Sequence, residues 1–248
     1  MFKVSFTGLR ERLQSLDRLE RDQLPYAAAL ALTGTAQDVK DAMVEEMGSV
    51  FDRPTRWTLN SLFLIPATKA EMVAVVWMKD KAPDSGGMPA SEWLTPEIKG
   101  GTRTRKRSET MLSEAGHLPA GKYLMPGKGI KLDRYGNISR GTMNKVVSGL
   151  GAQQDKHANS TKSQRSAANL RRYFLIRRGQ VPLGIAERTG KRKAGMRLVI
   201  AFGNVPHYSA RFDFYGIAQR IAEDRLPIRF ELALARALAT TDGRVRGR

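Results

Sequence analysis

The stretch from Tyr173 to Leu238 constrains the fold more than any other part of the chain. Tyr173-Phe174-Leu175-Ile176 is a short apolar run, and Arg177-Arg178-Gly179-Gln180 separates it from Val181-Pro182-Leu183-Gly184-Ile185-Ala186-Glu187-Arg188. A basic turn, Thr189-Gly190-Lys191-Arg192-Lys193, leads to Leu198-Val199-Ile200-Ala201-Phe202, and Val205-Pro206 follows. Apolar runs of this length bounded by turn residues predict strands. Phe212, Tyr215, Ile217, Ile221, Leu226, Ile228, Phe230, Leu232, Leu234 and Leu238 then mark a helical pattern with a broad apolar surface. Pro227 lies inside it and predicts two helices, about 212–224 and 227–239, because proline removes a backbone donor and clashes with the preceding turn. Part of this surface must be core. The rest, drawn from Phe212, Tyr215, Ile217, Ile221, Leu226, Phe230 and Leu234, is a candidate subunit interface.

Upstream, Phe2, Val4 and Phe6 alternate with polar residues, as in a short strand. Leu9, Leu13, Leu16 and Leu19 recur at helical spacing. Pro25 suits the first turn of a second, small-residue helix reaching about Met47, with Gly34 as a kink and Gly48 as a stop. Thr55 is placed to cap a short helix from Arg56 to about Phe63, and 70–78 has strand composition. From 83 to about 151 glycine and proline are dense, which predicts an insertion of loops and turns. Within it, 133–137 is a tight turn and 143–150 a short helix capped by Thr142. Residues 153–169 are polar and basic, as in a mobile linker or an exposed loop. The expected organisation is one α+β core from 1–82 and 170–248, with 83–169 inserted. It has a long N-terminal helix, a small mostly antiparallel sheet and C-terminal helices.

Chemistry is thinly represented. The chain of 248 residues has no cysteine, which excludes disulfides, thiolate metal sites and a cysteine nucleophile. His117, His157 and His207 are far apart in sequence and form no metal-binding spacing. Asp38, Asp41 and Glu45 share a helix face, but a solvated face explains them better than a metal site. The glycine-rich 121–129 segment lacks the spacing of a phosphate loop and reads as an ordinary loop. No catalytic residue, cofactor or metal is expected. The N-terminus has no signal-like apolar stretch, and no run is long enough to cross a membrane, so a product made in the cytoplasm and free of membrane is expected.

Charge says more. The formal net charge is +18, which predicts attraction to polyanions or acidic protein surfaces. The cations cluster. Lys99, Arg103, Arg105, Lys106 and Arg107 form one group; Arg171, Arg172, Arg177 and Arg178 flank the 173–176 run; Arg188, Lys191, Arg192, Lys193 and Arg197 cover the next turn; Arg244, Arg246 and Arg248 lie in the tail. With no recognisable base-reading motif, contact with DNA would be through backbone charge alone. A stand-alone, sequence-nonspecific DNA-binding protein of packaging or nucleoid type is therefore one reading.

The other comes from a resemblance. The small-residue helix (27–47), the Arg/Pro/Thr turn and short helix (53–63) and the strand (70–78) are followed near the end by Gly184-Ile185-Ala186-Glu187-Arg188-Thr189-Gly190-Lys191-Arg192, Val205-Pro206, and 217–238 centred on Glu223-Asp224-Arg225-Leu226-Pro227. This order resembles the minor tail protein Z family of tailed phages, also called tail completion proteins, and the wider group of head–tail joining and neck proteins. The similarity covers roughly residues 25–80 and 170–240; the long middle segment departs from the compact family pattern. The resemblance implies a non-enzymatic virion protein, assembled in the host cytoplasm and located at the tail or head–tail junction. Its partners would be copies of itself in a ring, other tail, neck or portal-proximal proteins, and genomic DNA contacted without sequence preference.

Overall fold

Leu32, Ala36, Val39, Met43 and Met47 fall three or four residues apart, and in the structure they form the buried stripe of one long helix. The structure, a computed structural model, describes residues 1–5, 18–81, 87–164, 166–190 and 195–245. That helix, α1, spans Arg18–Val50. It starts before Pro25 rather than at it, so the expected boundary there is corrected. Pro25 is the eighth residue of this helix and forfeits one i→i−4 hydrogen bond, the one that would reach the Arg21 carbonyl. The helix is also unbroken at Gly34 and ends two residues beyond Gly48. The leucines at 9, 13 and 16 lie outside the described residues.

The chain divides into two compact units. One comprises Met1–Ala82, Pro89–Ile98 and Ala210–Arg248; the other comprises Pro83–Met88 and Lys99–Ser209. In the first unit, β1 (Phe2–Ser5), β2 (Leu62–Ile65) and β3 (Val73–Met78) make an antiparallel sheet in the order β1-β3-β2. Along β3 every second residue is buried: Ala74, Val76 and Met78 join the stripe of α1 in one core. Between α1 and β2 sits α2 (Arg56–Leu59), where the Thr55 hydroxyl accepts from the Thr58 N–H at 3.1 Å, the expected cap. This helix stops four residues short of Phe63, which belongs to β2 and pairs with Trp77. Apolar residues at 62–65 gain more from joining the sheet than from a further helical turn. Helix α3 (Ala90–Lys99) adds Ala90 and Leu94 to the same core.

The second unit is built on a four-stranded antiparallel sheet. Helices α4 (Arg107–Glu114), α5 (Arg140–Gly149) and α6 (Ala167–Arg172) accompany β5 (Tyr123–Pro126), β6 (Tyr173–Arg178), β7 (Val181–Arg188) and β8 (Met196–Gly203). The strand order is β5-β8-β7-β6. A small ribbon pairs β4 (Gly101–Thr102) with β9 (His207–Tyr208). Leu112, Leu118, Val146, Val147, Tyr173, Ile185 and Ile200 form the core. Gly184 is required where it stands, since a Cβ there would meet the Ile200 carbonyl oxygen at 2.4 Å.

These elements correct the expected loop insertion and its boundaries. Residues 170–209 join 99–169 because β5 completes the sheet against β8. Residues 123–126, expected as loop, are therefore a strand. Helix α5 is capped by Ser139, whose hydroxyl accepts from the Thr142 N–H at 3.2 Å, so the cap lies three residues before Thr142. The 153–169 segment contains a 3-10 turn (Lys156–Ala158) and the start of α6. Asn169 ties it to α5 through the Lys145 carbonyl at 2.9 Å. The tight turn at 133–137 is as expected: the Asp133 carboxylate accepts from the N–H groups of Tyr135 and Asn137, both at 2.9 Å, and Gly136 has φ 78.

The last helix, α7 (Phe214–Val245), carries Pro227 without ending. It lies antiparallel to α1: its N-terminal part joins the α1 stripe, while Ala233 and Ala237 pack on Ala27 and Ala31. A partner along the whole length holds both halves in line. Pro227 and Glu223 are exposed, so water can reach the carbonyl left without its N–H. Alanine on both sides lets the two helices approach closely. Ala31→Leu is accordingly expected to destabilise the first unit by about 1–3 kcal/mol through overpacking, measurable by urea titration of tryptophan fluorescence.

Candidate functional site

Two buried glutamates organise the arginines. Glu109 in α4 is fully buried. Its carboxylate accepts from Arg103 Nη1 at 2.7 Å and Nη2 at 2.6 Å, from the Lys106 N–H at 2.7 Å and from the Leu124 N–H at 2.9 Å. Burial pushes its carboxyl up, but Arg103 and the two backbone donors outweigh this and hold it below the ordinary range. The same contact raises Arg103. Arg103 and Arg105 both lie over the Tyr123 ring, 4.9 and 5.6 Å from its centroid. Arg103 is thus a structural cation that ties the 100–106 segment to α4 and β5.

Glu187 in β7 is 3% exposed and stands between two arginines. Arg172 donates its Nε–H to Oε1, and Arg197 donates its Nε–H to Oε2 at 2.7 Å. Burial raises the Glu187 carboxyl; Arg197 and Arg172 more than reverse this, so it is held below the ordinary range. The register explains the meeting, since Glu187 pairs with Tyr173 on one side and Arg197 on the other. Arg172 immediately precedes Tyr173 at the end of α6.

The expected cations therefore separate into classes. Lys99, Lys106, Arg107, Arg171, Arg177 and Arg178 are exposed. Arg103 is committed to Glu109, and Arg172 shares Glu187. Arg188 lies over the Phe174 ring at 4.6 Å. Lys191, Arg192, Lys193, Arg246 and Arg248 lie outside the described residues. Arg197, expected within the cluster at the turn after β7, shares Glu187 with Arg172. What the clusters did not show is the pairing: Glu187 is a carboxylate at an inward strand position, which demands cationic partners and so brings Arg172 and Arg197 together.

The expected interface on α7 is also divided. Phe212 and Ile217 are 1% and 4% exposed and belong to the core, which corrects their assignment. Ile221 and Leu226 pack against that core; Phe230 and Leu234 pack on the alanine cluster; Tyr215 is exposed. The exposed apolar strip is different: Tyr26 and Leu30 on α1, and Ile228 and Leu232 on α7. Leu30 and Leu232 line a groove of about 290 Å³ between the helices, with Gly34, Arg229 and Arg236. Arg229 crosses it to Asp38 at 2.6 and 2.8 Å.

Asp41 accepts from Gln37 at 2.7 Å. Among the described residues no three histidine, aspartate or glutamate side chains are grouped as metal ligands. Among those residues, too, no helix is long and apolar enough to cross a membrane. No family model, curated protein or solved structure matches this chain.

Proposed function

We propose that this protein is a non-enzymatic structural component of a tailed-phage virion. It acts at the tail or head–tail junction as a ring-forming completion or joining subunit around the DNA path. Support comes from the resemblance at residues 25–80 and 170–240. The observation that carries it is the exposed strip of Tyr26, Leu30, Ile228 and Leu232 along two helices of 33 and 32 residues. Apolar side chains aligned on one face of a rigid helix pair suit contact with a neighbouring copy. The excess of exposed cations suits a position beside nucleic acid.

Mass spectrometry of disrupted particles, quantified against the major capsid protein, tests the reading. The protein is expected at a fixed ratio in finished particles, and its absence there would overturn the proposal. Light scattering tests the strip. The Leu30→Glu/Leu232→Glu double variant is expected to lose self-association while its stability stays within about 1 kcal/mol of the parent, because both side chains are exposed. The charge favours a second reading, a stand-alone DNA-binding protein. That reading requires a monomer that binds DNA tightly and does not enter the particle.

A further inference from the structure

We propose that Arg172 and Arg197, held apart and aimed by Glu187, form a built contact for the phosphodiester backbone of nucleic acid. The inference rests on the proposed function and deepens it by assigning the DNA contact to two particular arginines, one from each of two charge clusters.

The geometry is that of a shared anchor. Each guanidinium spends its Nε–H on one oxygen of the same carboxylate. Their Nη groups make no hydrogen bond among the described residues. The side chains of Arg172 and Arg197 are 50% and 48% exposed, while that of Glu187 is 4% exposed. The anion is thus sunk in the protein and the donors face outward. Two positive charges against one negative leave a net positive site. Arg172 also lies over the Tyr173 ring at 5.9 Å, which restricts its motion further. A phosphate oxygen pair can accept from both forks at once, and orienting the forks in advance reduces the entropy lost on binding.

The surroundings favour a linear polyanion over an isolated acidic side chain. Exposed Arg171 lies beside Arg172 at one end of edge strand β6, and exposed Arg177 and Arg178 lie at the other. The strand rise separates these ends by about 17 Å. A duplex carries a charge about every 1.7 Å of its axis, so it can meet both ends together.

The test uses the full chain and a fluorescent 30-base-pair duplex as probe, with anisotropy measured across a salt series. Arg172→Ala/Arg197→Ala is expected to weaken binding about tenfold or more and to reduce the slope of log K against log salt by about 2. Glu187→Gln decides between a built site and diffuse attraction. It raises the net charge by one, so diffuse attraction predicts tighter binding, as for the exposed control Glu114→Gln. The proposal predicts weaker binding than the parent, because the forks lose their anchor. Circular dichroism checks folding. Should Glu187→Gln not fold, Arg172→Lys/Arg197→Lys keeps the charge and is expected to lose affinity at unchanged slope.

An unchanged slope in the double alanine variant would overturn the proposal. So would Glu187→Gln (or, where it does not fold, the double lysine variant) binding as tightly as the parent. No duplex binding, or polyglutamate bound in preference to the duplex, would overturn it too. Presence in particles without arginine-dependent DNA binding would end this inference and leave the proposed function standing. Arginine-dependent binding by a protein absent from particles would do the reverse.

Discussion

Glu109→Gln is expected to destabilise the second unit by about 3–5 kcal/mol, the usual cost of removing one partner from a buried ion pair. The carboxylate serves four donors on three residues: two from Arg103, one from the Lys106 N–H and one from the Leu124 N–H. Glutamine keeps one acceptor oxygen and turns an NH2 group toward donors. The Arg103 side chain is 12% exposed, so water cannot replace the lost charge fully. All three tryptophans (57, 77 and 93) belong to the first unit, so the loss is best read by far-UV circular dichroism during urea unfolding. Hydrogen exchange of the Lys106 and Leu124 amides should localise it. The pH dependence has a definite sign. The carboxyl of Glu109 is lowered on folding, so its stabilisation is fully present above its unfolded value near 4.5 and fades as pH falls through the lower folded value. The stability gap between parent and variant should therefore be constant near neutrality and shrink in acid. A gap of less than about 1 kcal/mol at pH 7 would mean that the contacts are worth no more than a surface pair.

The legible parts of the fold were those set by local periodicity. The α1 stripe from Leu32 to Met47, the 173–176 and 198–202 runs, the cap at Thr55 and the turn at Asp133 each follow from residues within a few positions of one another. What sequence concealed depends on distant partners. Pro227 breaks an isolated helix, but α1 supports α7 on both sides of it. The density of glycine and proline between 83 and 151 suggested loops, yet these residues punctuate short helices and a strand whose partner, β8, lies some seventy residues away. The site divides in the same way. That cations cluster was visible at once. Which of them face solvent was not, because Glu109 and Glu187 decide that from inside the protein. Sorting Arg103 from Arg107 requires knowing which one reaches a buried carboxylate across a turn.

Phe212→Ala carries the other large effect, about 3–5 kcal/mol of lost stability in the first unit. The ring is 1% exposed and lies 5.9 Å from Phe51 and 6.0 Å from Phe214, both in tilted or edge contact. Its removal leaves a cavity where the chain enters α7, lined by aromatic rings fixed from several directions and unable to close it. Position matters as well as area. The N–H groups of Arg211 and Phe212 both donate to the Glu97 carbonyl, at 2.9 and 3.0 Å, and the Arg211 guanidinium returns to the Glu97 carboxylate. Phe212 is thus the packed end of a hydrogen-bonded joint between α3 and α7. Trp77 lies 5.9 Å from Phe214, so tryptophan fluorescence should report the transition directly. An interface role for Phe212 would have predicted a stable monomer that assembles poorly. Core packing predicts a monomer that unfolds at lower urea, whether or not copies associate. Tyr215, three residues on and 44% exposed, supplies the internal comparison: Tyr215→Ala should change stability by no more than about 0.5 kcal/mol. If the two substitutions cost the same, the first aromatic ring is not doing what its burial requires.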